Sequence, residues 1–182
     1  MMRELTTREL YQALEYAKSI DETGGGKILA RFQLDQPALA QTIFGVFPQV
    51  IAEQNQDMAH LFMDLCFDVI CVFEKAFGPL PSQKTLGLDW LEQSASMLDA
   101  EVQALIAGKP QAQKIGEKQQ DRFTERVFDS NLQTGLVNFM HTAIDEYASE
   151  NPVRVKAARV TQTLIFTVIQ LFGIMYDRAA AH

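Results

Sequence analysis

Apolar residues recur along most of the chain at the three- and four-residue spacing of an α-helix, and no segment alternates with the two-residue period of a strand. Thr6 and Glu9 have capping-box spacing, and Leu10, Leu14 and Ala17 carry a first helix to about Ile20. Gly24, Gly25 and Gly26 then predict a break, a flexible connection between two helices. Pro37 suits the first turn of a helix running to Phe47, where Pro48 forces a kink or a fresh start. The pattern from Gln49 to Phe77 predicts the longest helix, stopped by Gly78-Pro79-Leu80-Pro81.

A second capping-box pair, Asp89 and Glu92, opens a helix that carries Trp90, Leu91, Met97, Leu98, Val102 and Leu105 and stops at Gly108. Lys109 to Gln120 is polar and reads as a flexible loop. Helical pattern resumes near Gln119, re-nucleates at Ser130 with Gln133 three residues on, and reaches Ser149. Asn151-Pro152 supplies the cap and first turn of a last helix ending at Arg178. The prediction is an all-α, single-domain helical bundle over residues 1–182, with about six or seven helices. Residues 56–76 and an apolar C-terminal helix, 158–176, form its centre.

That C-terminal helix is the most apolar part of the chain, interrupted between Leu164 and Tyr176 only by Thr167, Gln170 and Gly173. A helix apolar nearly all round is either a central core helix or a membrane span. Val160 to Tyr176 sits at the short limit for a span and contains two glutamines and three threonines, so a core helix is expected and a membrane is disfavoured. In a sharper variant, Gly173 and the threonine stripe mark a close helix contact between two subunits.

Composition adds a charge asymmetry. The net charge is −7, and residues 51–107 hold 2 basic and 9 acidic residues, against 5 and 6 before them and 9 and 8 after. An acidic middle third repels phosphate, which disfavours nucleic acid as a partner. Cys66 and Cys71, five apart in one apolar run, point to different faces of a helix and are expected to be free thiols in a reducing compartment. The start, MMRELTTREL, lacks the apolar stretch of a signal peptide, so a cytoplasmic protein is expected.

Candidate chemistry lies in a repeated motif. Asp57, His60, Asp64 and Asp68 fall within about 80° of one another on the middle helix. The spacing of the first three returns as Asn138, His141 and Asp145. Antiparallel helices with these edges facing would converge two imidazoles and two or three carboxylates, a set suited to zinc, iron or manganese. His60, Asp64, His141 and Asp145 are then the candidate ligands, and Asp57 is a further ligand or a general base. Solvated edges on two amphipathic helices account for the same residues, and no bound cofactor is the simpler expectation.

The glycine run does not fit a phosphate-binding loop, because Ile28 follows Lys27 and a helix precedes the glycines. The Phe-rich helices read as core. There is no Gly-x-Ser-x-Gly elbow. The favoured expectation is a non-enzymatic, self-associating interaction module whose partner is a second copy or another protein. A metal-binding bundle, in its sharpest form a metal-dependent hydrolase, is the alternative. A helical transcription regulator ranks below both, since the first 50 residues carry no net positive charge.

Overall fold

The structure is a computed structural model that describes residues 2–94 and 133–181. They form an all-α bundle with no strand among the described residues: α1 (Thr7–Ser19), α2 (Glu22–Asp35), α3 (Pro37–Gln41), a π-helical turn (Thr42–Val46), α4 (Phe47–Ala52), α5 (Gln56–Phe77), α6 (Gln83–Leu86), α7 (Thr134–Ser149) and α8 (Val155–Ala180). Residues 89–94 are also helical. The expected loop at 109–120, the end of the helix at Gly108 and the restart near Gln119 and Ser130 lie outside the described residues.

Helix starts follow their caps. Thr6 accepts from the Glu9 N–H while the Glu9 carboxylate accepts from the Thr6 N–H, completing the capping box. Pro37 occupies the first turn of α3, and Asn151 caps the short 3-10 turn Pro152–Arg154 that leads into α8. Pro48 offers no N–H and its ring crowds the preceding turn. The chain passes it without breaking, because the Phe47 N–H reaches back five residues to the Thr42 carbonyl.

Three boundaries differ from the sequence reading. The glycines do not separate two helices: the break falls at Ile20, and Asp21 caps α2 by accepting from the Gly24 N–H at 2.7 Å, which places all three glycines inside α2. The run from Gln49 to Phe77 is two helices, because Asn55 takes an extended conformation and accepts from the Met58 N–H, starting α5 afresh. The Leu88 carbonyl already accepts from the Leu91 and Glu92 N–H groups, so Asp89 lies inside a first turn and is not its cap.

The core sits between α5 and α8. Helix α5 packs against α1, α4 and α8, and α8 packs against α5, α7 and α4. Phe172 of α8 lies 5.3 Å from Phe73 and 6.0 Å from Phe32 between ring centroids, and Phe73 continues the cluster to Phe77 and Tyr176. Tyr176 donates its hydroxyl to the Gly78 carbonyl at 2.8 Å, tying α8 to the turn after α5. Gly78 holds a φ of 93°, which a side chain would strain.

Pro152–Ala180 is long and apolar enough to cross a membrane by length and composition, yet 72% of its most apolar window is buried inside the fold. Its threonines tolerate burial because Thr161, Thr163 and Thr167 each donate to the carbonyl four residues back. Thr163, Thr167 and Gly173 are buried within the fold.

Two glutamines act as clamps. Buried Gln133 accepts from the Leu5 N–H at 2.8 Å and donates to the Arg3 carbonyl at 2.9 Å, fastening the amino-terminal segment to the start of α7. Gln36 donates to the Pro81 carbonyl while Gln83 accepts from the Ala38 N–H, joining the α2–α3 corner to the α6 segment. At the far end, Arg154 lies over the Tyr147 ring, donates to the Tyr147 carbonyl and reaches Asp57 and Glu150 at 3.4 Å.

A Cβ built on Gly26 meets no atom within 4 Å, whereas one on Gly24 would meet the Asp21 carboxylate at 3.0 Å. Gly26→Ala is therefore expected to stabilise the fold by about 0.5–1 kcal/mol through helix propensity. Gly24→Ala should give no such gain. Urea denaturation of both variants beside the wild type measures the difference.

Candidate functional site

The polar edge of α5 is where candidate chemistry concentrates, and the structure distributes it. His60 is exposed, with Nε2 3.1 Å from the Gln56 amide nitrogen. Asp57 faces Arg154. His141 stands edge-on to Phe166 of α8 with ring centroids 4.1 Å apart, and Asp145 accepts from Gln162 Nε2 at 2.8 Å. His141 and Asp145 thus meet α8, while Asn138 lies on the α1 side of α7. The four proposed ligands are not gathered: among the described residues no group of three or more His, Cys, Asp and Glu is placed to hold a metal ion.

Burial lowers the His141 imidazole below its ordinary value, while the Gln162 hydrogen bond and the Asp145 charge pull it back. Burial also pushes up both thiols, Cys71 to about 12, with Asp68 adding to the effect on each. Both cysteines are free, fully buried and remote from the reactive thiolate form.

Two open grooves flank α5. The first, of about 750 Å³, runs between α1 and α7 over Leu65; Leu10, Tyr11 and Lys18 form one wall, Phe139, Ala143 and Glu146 the other. These helices approach closely at one end, where a Cβ on Gly135 would lie 3.1 Å from Leu10. Tyr11 is 57% exposed, and Lys18 Nζ stands 5.9 Å from the Phe139 ring centroid. The second groove, of about 630 Å³, lies between α2 and α5 over Phe44 and Phe67. A third hollow beside Pro79 holds charges matched to their neighbours: Arg31 bonds Glu74 at 2.9 Å, and Lys75 lies over Tyr16.

Asp68 lines both larger grooves. Burial raises its carboxyl to about 6, and the Asp64 charge adds to the rise while Lys18 opposes it. The sequence places Asp68 on the polar edge; the signal for its strain is a like-charged pair, Asp64 and Asp68, one turn apart and flanked by apolar residues. Lys18, Tyr11, Phe139 and Glu146 escape a sequence reading, because they meet only through tertiary packing.

Compared with known protein families, with curated proteins and with solved structures, the chain matches none.

A carboxyl raised in the folded state binds its proton more tightly there than in the unfolded chain, so ionisation at Asp68 opposes folding. The penalty is absent below about pH 4, grows as pH rises toward 6 and is constant above it. Asp68→Asn is expected to raise stability at pH 7 by about 1 kcal/mol, less than the full shift because solvent reaches the group. Near pH 4 the gain should vanish. Denaturant titrations at both pH values test this, and an equal gain at each would refute the assignment.

Proposed function

We propose that this is a non-enzymatic, cytoplasmic helical interaction module that self-associates through the groove between α1 and α7. The observation that carries the reading is the make-up of that groove: an exposed aromatic, an apolar floor and both signs of charge on opposite walls. A twofold contact places one patch against itself, so it must be self-complementary. Lys18 on α1 and Glu146 on α7 supply that complementarity, since a rotated second copy sets each opposite the other. Glu146 makes no ion pair among the described residues. Tyr11 then provides the rigid aromatic contact typical of interface centres.

A binding role is favoured over catalysis because both thiols are pushed away from thiolate and the two internal histidines are engaged separately. Two free cysteines in the core suit a reducing compartment.

Sedimentation equilibrium at micromolar concentration should give a dimer. Tyr11→Lys, at an exposed helix position, should weaken it about tenfold or more while leaving the circular dichroism unchanged. Lys18→Glu and Glu146→Lys should each weaken the dimer, and the double exchange should restore it. A wild-type monomer under these conditions, or a dimer indifferent to Tyr11→Lys, would overturn the reading.

A further inference from the structure

The glycine run has a consequence on the opposite side of α5. Three successive glycines in the first turns of a helix lower its stability, yet they lie inside α2. Gly25 and Gly26 also leave α2 without side chains just where it borders the second groove. A Cβ on Gly25 would stand 3.6 Å from the Phe67 ring, and Gly26 borders open space. Ordinary side chains there would roof the floor. Without them Ile20, Leu29, Phe44, Met63 and Phe67 remain half-buried beneath an opening to solvent.

The charges around this floor are of one sign. Asp21, Glu22, Asp64 and Asp68 line the groove, and it has no Lys, Arg or His lining residue. Asp21 is engaged in capping α2. Glu22 and Asp64 are exposed and form no ion pair among the described residues. An apolar floor beneath an anionic rim repels phosphate and anionic lipid headgroups, which removes nucleic acids and acidic membranes as occupants. Its complement is a helix with apolar residues on one face and lysine or arginine flanking them.

From the open apolar floor and the unpaired carboxylates of Glu22 and Asp64, we infer that the α2–α5 groove is a docking site for a basic amphipathic helix of a partner protein. Phe44, Phe67 and Met63 receive the apolar face, and Glu22 and Asp64 hold the flanking cations. Asp68 lies deeper, where a cation would relieve its repulsion with Asp64. This site is separate from the α1–α7 groove, so it stands whether or not the protein dimerises.

The probe is a fluorescein-labelled synthetic peptide of leucine and lysine, about 18 residues long, with leucine at i, i+3, i+4 and i+7. A counterpart has glutamate in place of lysine. Fluorescence anisotropy should show the lysine peptide binding at a concentration on the order of 10 μM, and the glutamate peptide at least about tenfold more weakly. Glu22→Gln combined with Asp64→Asn should weaken binding about tenfold, and added salt should weaken it further. Gly26→Leu should fill the groove and cost about as much, although it favours the α2 helix, so the loss cannot come from unfolding. Tyr11→Lys should bind as the wild type does.

Attraction to the overall negative charge alone would survive Gly26→Leu, and that result would overturn the inference. So would equal binding of the two peptides, indifference to the Glu22 and Asp64 exchanges, or no binding at about 1 mM.

Discussion

A helix as apolar as α8 cannot leave much of its circumference in water. Fifteen of its residues are buried, among them three threonines and a glycine, and the fold can be understood as the means of surrounding it. Helix α5 covers one side through Phe73 and its neighbours, α7 a second through the His141–Phe166 contact, and Phe32 of α2 reaches the rings from a third. The same demand explains why the α8 threonines bond back along their own helix. A buried hydroxyl needs an acceptor, and the local backbone supplies one without disturbing the surrounding core.

What could be read from the sequence divides by the range of the interaction. Thr6 with Glu9, Pro37 at a first turn and Asn151 before Pro152 act within a few residues, and each does what its local chemistry requires. The errors arise where two local rules compete. Gly24 to Gly26 have low helix propensity, but Asp21 provides a capped start that holds them in α2. Asn55, in the middle of the polar run from Glu53 to Asp57, ends one helix and starts the next because its side chain satisfies a backbone donor that a longer helix would satisfy differently. For the histidines, periodicity assigns a face but not what that face meets. His60 looks to solvent and His141 to α8, a distinction made by packing partners far away in sequence.

Asp68 gives the two sides of α5 a shared boundary. Its carboxyl lies between the Asp64 charge, which raises it, and the Lys18 charge, which lowers it. The two surfaces are thus distinct in composition and share one carboxylate.

The glutamine clamps divide the molecule in another way. Gln133 and Gln36 fasten remote parts of the backbone with neutral amides, whose hydrogen bonds do not depend on ionic strength or on protonation across the physiological range. The groove rims, by contrast, are built from ionisable groups. Changes in salt or acidity therefore act on the groove rims and leave these internal fastenings untouched. Acidity therefore reaches the stability of the fold through Asp68 and not through its glutamine fastenings.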